Sequence, residues 1–223
     1  MTKTEAMLLS RTQKPLNIHI TQDRVKQVSE FKYLGSIFSE NGKLDREIET
    51  RCQKANAVTY QLSPLLLHPK INLEVKKQLI QSIFLPTLCY QCQTWSLTDL
   101  HKRKLISCEM KCLRKAAGVT KFDRIRNDVI RGRLKINSCI EFIENQQLSW
   151  FNHLMRMDNN KLPVKAYNQR RSGFKAKGRP RVRWIDNIKD ILKKHGYSAT
   201  MATHLALERN LKLKPLRYTA SVE

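Results

Sequence analysis

From Leu44 onward the apolar residues return every three or four positions, and that period confines the chain to a set of short amphipathic helices. Ile48, Cys52, Ala55, Thr59 and Leu62 fall on one face of a helix over 44–63, which Pro64 ends. A second helix starts at Asn72, a residue whose side chain can cap free backbone N–H groups. It carries Val75, Leu79, Ile80, Ile83 and Phe84 inward until Pro86 kinks or ends it. A third runs from a cap at Thr98 to Gly118. Its buried stripe is Leu105, Cys108, Cys112 and Ala116, flanked by Ile106, Met110 and Leu113. A fourth covers 123–134 with Ile125, Val129 and Ile130 inward. A fifth starts at Ser138, where Glu141 three residues on completes a capping box, and buries Ile140, Ile143, Leu148, Phe151 and Met155.

The flanks read differently. Residues 15–40 are rich in β-branched and aromatic side chains, with the run Phe31–Phe38 stopped by the turn pair Asn41-Gly42. They predict a small hairpin or two edge strands, too little for a sheet alone. From Lys161 to Arg183 there are nine Lys or Arg and no acid, and the apolar period is lost, so a basic linker or arm is expected there. Order resumes at Trp184, through Ile188, Ile191 and Leu192 to Gly196, and a last helix follows near 198–211. Only seven Gly and seven Pro in 223 residues argue against an all-β chain. The expected fold is mainly α: a β-hairpin remnant over 1–41, a helical domain over 42–135, a C-terminal helix over 136–160, a basic arm over 161–183 and a helical segment over 184–223.

Charge narrows the function. Lys and Arg number 42 against 19 Asp and Glu, a formal +23. Such an excess repels itself in a compact fold, and a polyanion relieves it. The phosphate backbone of DNA or RNA is the first candidate, ahead of an anionic membrane surface. No window holds the 18 or so apolar residues of a membrane span, and residues 1–14 lack a signal-peptide core. The chain is expected in a reducing compartment, nuclear or cytoplasmic, and not secreted. Its six Cys are then thiols or metal ligands.

Four motifs bear on chemistry. The segment Lys177-Gly178-Arg179-Pro180-Arg181-Val182-Arg183-Trp184 resembles an AT-hook, in which an extended Gly-Arg-Pro core lies in a narrow minor groove; phosphate contact without groove reading is the expectation ahead of it, and a flexible charged linker is the alternative. Lys102, Arg103, Lys104, Lys111, Arg114 and Lys115 lie outside the third helix's apolar stripe, and Arg124, Arg126, Arg131 and Arg133 follow. Between Lys102 and Lys135 there are twelve cations and three acids, Glu109, Asp123 and Asp128, an imbalance that suits backbone contact. Cys89, Cys92, Cys108 and Cys112 have a spacing close to that of a structural zinc site, yet Cys108 and Cys112 also sit on an apolar stripe where thiols pack as small hydrophobes. Finally, two-metal phosphoryl transfer needs clustered carboxylates, and the chain has no Asp-Asp pair. Asp186 and Asp190 share a helical face among lysines and read as a solvated pattern, and no Gly-rich phosphate loop is present.

Taken in order, Phe31-Lys32-Tyr33-Leu34-Gly35, Glu47-Ile48-Glu49-Thr50-Arg51, Tyr90-Gln91-Cys92-Gln93-Thr94-Trp95, Glu109-Met110-Lys111-Cys112-Leu113-Arg114, Asp123-Arg124-Ile125-Arg126-Asn127, Trp150-Phe151-Asn152-His153 and Gly178-Arg179-Pro180-Arg181-Val182-Arg183-Trp184 resemble the C-terminal part of the endonuclease–reverse transcriptases of RTE-like non-LTR retrotransposons. The likeness covers nearly the whole chain. It implies that Phe31, Lys32, Tyr33, Leu34 and Gly35 form the hairpin gripping a primer end, and that the helices over 42–135 form the thumb on the template–primer duplex. It also implies that the metal-binding palm carboxylates of this RNA-directed DNA polymerase family lie upstream. Gln91 and Asn152 stand where the family usually has Gly.

The resulting expectation is a retroelement-derived fragment that binds RNA–DNA or duplex backbone through Lys102, Arg103, Lys104, Lys111, Arg114, Arg124, Arg126, Arg131, Lys175, Lys177, Arg179, Arg181 and Arg183. It has no catalytic centre of its own, no cofactor, no metal and no small-molecule substrate. Two other readings stand: a piece of a longer, active polymerase, and a zinc-binding structural adaptor.

Overall fold

The computed structural model describes residues 4–10, 14–169, 178 and 182–207, and the chain is mainly helical. Short strands come first: β1 (Glu5–Ala6), β2 (His19–Ile20), β3 (Asp23–Arg24), β4 (Lys26–Gln27), β5 (Glu30–Tyr33) and β6 (Ser36–Ser39). β1 pairs in parallel with β4, while β2–β3 and β5–β6 are antiparallel hairpins. In the second hairpin Phe31 faces Phe38 and Tyr33 faces Ser36, leaving Leu34 and Gly35 as a two-residue loop. Both loop residues have positive φ, 47° and 85°, the left-handed backbone that matches the twist of so tight a hairpin.

The helices follow as α1 (Asp45–Gln61), α2 (Ser63–Leu67), α3 (Leu73–Leu79), α4 (Leu85–Leu88), α5 (Asp99–Ala116), α6 (Asn127–Leu134), α7 (Cys139–Met155), α8 (Leu162–Asn168), α9 (Trp184–Lys194) and α10 (Ala199–Leu207). The expected stripes of α1 and α5 are buried: Ile48, Ala55, Thr59 and Leu62 on one, Leu105, Cys108, Cys112 and Ala116 on the other. These two helices pack along each other and, with α2, α4, α6 and the first half of α7, enclose the main core. A second core joins Leu148 and Phe151 of α7 to Ile188, Ile191 and Leu192 of α9 and Ala202 and Ala206 of α10. α7 is therefore shared by both cores.

Caps fall where the residue types require them. Asn72 Oδ1 accepts from the Val75 amide at 2.8 Å, and Ser138 Oγ accepts from Ile140 N at 3.2 Å. Thr98 and His101 cap reciprocally, and His101 Nε2 reaches Asp45 Oδ1 at 3.0 Å, tying the starts of α5 and α1 together. Glu141 does not complete the predicted box; it is buried and accepts from Asn137 Nδ2.

The structure corrects several expectations. α1 ends at Gln61, just short of Pro64 as expected, but Pro64 also opens a further helix, sitting in the first turn of α2, where its missing N–H costs nothing. Ile80 and Phe84 are buried as expected, but Val75 and Ile83 face solvent, and Lys76 and Leu88 are buried. A π turn over Ile80–Phe84, just before Pro86, widens that stretch beyond the ordinary helical turn, so Ile80 and Phe84 point inward together while Ile83 does not. Residues 123–126 are not helical and Val129 is exposed. Residues 162–168, expected within the arm, form α8, anchored by the buried Val164.

Candidate nucleic-acid interface

Three stretches far apart in sequence meet beneath the β5–β6 loop. Glu47 of α1 accepts from the Ile37 amide at 2.7 Å with one carboxylate oxygen and from Arg51 Nε at 2.6 Å with the other. Arg51 Nη2 then donates to the Gly35 carbonyl at 2.6 Å, and its guanidinium lies 4.6 Å above the Tyr90 ring. The Tyr90 hydroxyl donates to Leu34 O at 3.0 Å, and Gln91 accepts from the Ser36 hydroxyl. Glu47 and Arg51 are 2% and 4% exposed, so the pair is a dry bracket rather than a surface ion pair. Gly35 is fitted to it: a Cβ there would stand 3.4 Å from Tyr90 Cε1. The bracket presents Lys32, Tyr33 and Leu34 to solvent, with Phe31 half-buried behind them.

Gln91 has φ 57°, the left-handed backbone that glycine adopts most readily. Glutamine itself takes that backbone here, and its side chain adds a bond to Ser36.

Cationic side chains divide into exposed and committed. Arg103, Lys104 and Lys111 stand on the outer face of α5, and Arg124, Arg126 and Arg133 stand on the turn before α6 and on α6 itself. Cys52, the residue after Arg51, lies 4.0 Å from the Lys104 carbonyl, so successive residues of α1 touch the hairpin loop and α5. Arg114 and Arg131 do not join this surface. Arg114 donates to Asn127 Oδ1 at 2.7 Å and to the Ile125 carbonyl, fixing the turn to α5. Arg131 pairs with the fully buried Glu109, whose other oxygen accepts from the Cys139 amide at 2.7 Å. Lys102 is half-buried in a cavity beside Glu144 and Lys194. Arg183 is exposed but forms a fork with Asp186, 2.8 Å away, at the start of α9. Lys175, Lys177, Arg179 and Arg181 lie outside the described residues, as does most of the AT-hook-like segment.

The acids of the same region are committed too. Glu109 is inside, Asp123 accepts from both the amide and the hydroxyl of Thr120, and Asp128 sits 3.5 Å from Arg126. The Thr120 bonds hold the Asp123 carboxyl below its usual value, and it stays charged within its own turn.

The cysteines do not assemble a metal site: among the described residues no three His, Cys, Asp or Glu are placed to hold an ion. Burial pushes the Cys92 thiol up to about 12 and Cys112 to about 11, and raises Cys89 and Cys139 as well. The Cys108 thiol donates to the Cys52 carbonyl at 3.6 Å. No helix among the described residues is long and apolar enough to cross a membrane.

Sequence reasoning missed the roles of Trp184, Asn187 and Gln147. Trp184 Nε1 donates to Gln93 O at 2.7 Å, Asn187 Nδ2 to Leu97 O at 3.1 Å and Gln147 Nε2 to Trp95 O at 2.8 Å. These bonds clamp the loop over 91–97 between α7 and α9. It also missed Phe122, which belongs to no apolar stripe and is 94% exposed.

A protein of Caenorhabditis elegans described as transposon-derived is 22% identical to this chain over 171 residues, 74% of this chain and 61% of that protein. The chain therefore matches less than two thirds of that relative's length. No family model matches the chain, and no solved structure matches it.

Proposed function

We propose that this chain is a retroelement-derived nucleic-acid-binding module that holds the backbone of a template–primer duplex, as the primer-grip hairpin and thumb of an RTE-like non-LTR reverse transcriptase do, and does not polymerise by itself. One observation carries the reading. Among the described residues Arg103, Lys111, Arg124 and Arg133 form no ion pair, while the acids between them are buried or already bonded. A surface with unopposed cations attracts phosphate without reading bases, so binding should be strong at low salt and indifferent to sequence. The similarity to a transposon-derived protein supports the ancestry, and the ordered blocks from Phe31 to Trp184 support the assignment to a reverse transcriptase.

The hairpin fits the same role. The dry Glu47–Arg51–Tyr90 bracket fixes the loop from below, and Lys32, Tyr33 and Leu34 are left for a strand end. Among the described residues no three His, Cys, Asp or Glu are placed to hold a metal ion, and the resemblance assigns polymerisation to palm carboxylates that the matching blocks do not include.

The test is titration of a labelled RNA–DNA hybrid at several salt concentrations. Five phosphate contacts give a slope of about −4.5 in log affinity against log salt, or roughly a 500-fold loss between 50 and 200 mM. Replacing Arg103, Lys104 and Lys111 by Ala should flatten the slope by about 2.7. No association at 50 mM salt refutes the reading, and primer extension by the purified chain with magnesium or manganese refutes the division of labour.

A further inference from the structure

Phe122 stands at the apex of a built turn rather than on a loose loop. Asp123 Oδ2 accepts from Thr120 N at 2.6 Å and from Thr120 Oγ1 at 2.9 Å, and Arg124 N donates to Lys121 O at 3.2 Å. Arg124 takes the left-handed backbone, φ 51°, which closes the turn. At its base the turn is bolted to α5 by Arg114, through Ile125 O and Asn127 Oδ1. The ring is 94% exposed, more than any other large apolar side chain described. Around it Lys121, Arg124 and Arg126 face solvent, and the turn's own carboxylate is occupied by Thr120.

A single exposed phenyl ring needs no explanation by itself. A fixed phenyl set between Lys121 and Arg124, neither of them in an ion pair among the described residues, with the intervening Asp123 carboxylate already bonded to Thr120, is a different object. Cations bring phosphate close, and an aromatic face beside them takes the flat face of a base. Inside a duplex both faces of every base are covered by neighbours. A free face exists only where a strand is unpaired or where a duplex ends. We propose that Phe122 is a stacking platform for the first unpaired base beside a duplex whose backbone lies on the cations of α5 and α6. This rests on the nucleic-acid reading above and adds to it a residue, a mode of contact and a preferred substrate: a duplex with a single-stranded overhang.

The experiment compares two hairpin oligonucleotides with equal numbers of phosphates. One is blunt, and the other carries an overhang whose first unpaired base is 2-aminopurine. The whole chain should prefer the overhang and quench the 2-aminopurine. Phe122→Ala should cost roughly 5- to 160-fold in affinity for the overhang, bringing it to the blunt level, and should abolish quenching. Phe122→Trp should restore both, and neither variant should change the salt slope or the melting temperature, because the ring supports nothing. If Phe122→Ala binds the overhang as the unmodified chain does, stacking is overturned while the backbone reading survives. If the unmodified chain binds neither oligonucleotide at low salt, both fall. If sedimentation shows that Phe122→Ala converts a dimer to monomers, the ring is seated on a second copy and the stacking assignment is overturned.

Discussion

Replacing Glu109 by Ala should be among the most damaging single changes in this chain, although the residue touches no exposed surface. Glu109 is fully buried on α5 and its carboxylate serves two other helices. One oxygen accepts from the Cys139 amide at the start of α7, and the other pairs with Arg131 of α6, whose side chain is 13% exposed. Losing one partner of a buried ion pair costs about 3–5 kcal/mol, because the remaining charge stays desolvated. Orphaning a buried amide costs about 1–3 kcal/mol more. The two overlap, since one void serves both and can admit water, so about 4 kcal/mol is expected in total. For a chain of this length that lowers the melting temperature by about 8–16 °C. Urea denaturation followed by circular dichroism measures the free energy directly. Glu109→Gln keeps an acceptor for Cys139 and should cost about half as much. The double variant Glu109→Ala, Arg131→Ala should cost at least about 1.5 kcal/mol less than the sum of the singles, because the stranded charge is gone. A loss below about 1 kcal/mol for Glu109→Ala, or additive behaviour in the double variant, would refute the idea that this carboxylate locks α6 and α7 to α5.

Other consequences can be checked as directly. Gly35→Ala should destabilise the hairpin by about 1–2 kcal/mol, since it puts a Cβ on a left-handed backbone against Tyr90. Leu34→Asn should raise the melting temperature, because Asn tolerates φ 47° better than Leu, which is 68% exposed there. Cys52 is half-buried; the Cys108 thiol beside it lowers its pKa, against a smaller rise from burial, and Lys104 lowers it by less again, while burial raises that of Cys112. Iodoacetamide at pH 7.5 should therefore modify one thiol fast, and Cys52→Ser should remove that phase. Burial raises the Glu141 pKa above the ordinary carboxylate value, more than Lys194 lowers it. The folded state then holds a proton that the unfolded chain releases, so stability falls as pH rises through that window and is flat beyond it. Glu141→Gln should melt higher than the parent at pH 7 and no higher at pH 4.

Local periodicity made much of the helical frame readable. The stripes of α1, α5 and α9, the caps at Asn72, Thr98 and Ser138 and the turn at Gly118 all depend on residues within one or two turns of each other. The failures have a common cause. At Ile80–Phe84 a π turn keeps Ile80 and Phe84 inward but turns Ile83 out, and nothing in the apolar pattern marks where a ladder will slip. Val129 reads as core by pattern but is turned outward once Ile130 and Leu134 meet α5 and α3.

The division between cations shows the same limit. By itself the sequence determined the net charge, the helical period and the ordered blocks from Phe31 to Trp184, since each is a property of composition or of neighbours along the chain. Only the tertiary structure decided that Arg51, Arg114 and Arg131 turn inward as braces while Arg103, Lys111 and Arg124 remain free. An arginine's role depends on whether folding brings an acceptor to its guanidinium; Arg51 finds Glu47 four positions away on its own helix, but Gly35, Ile125, Asn127 and Glu109 come from 11 to 22 positions away.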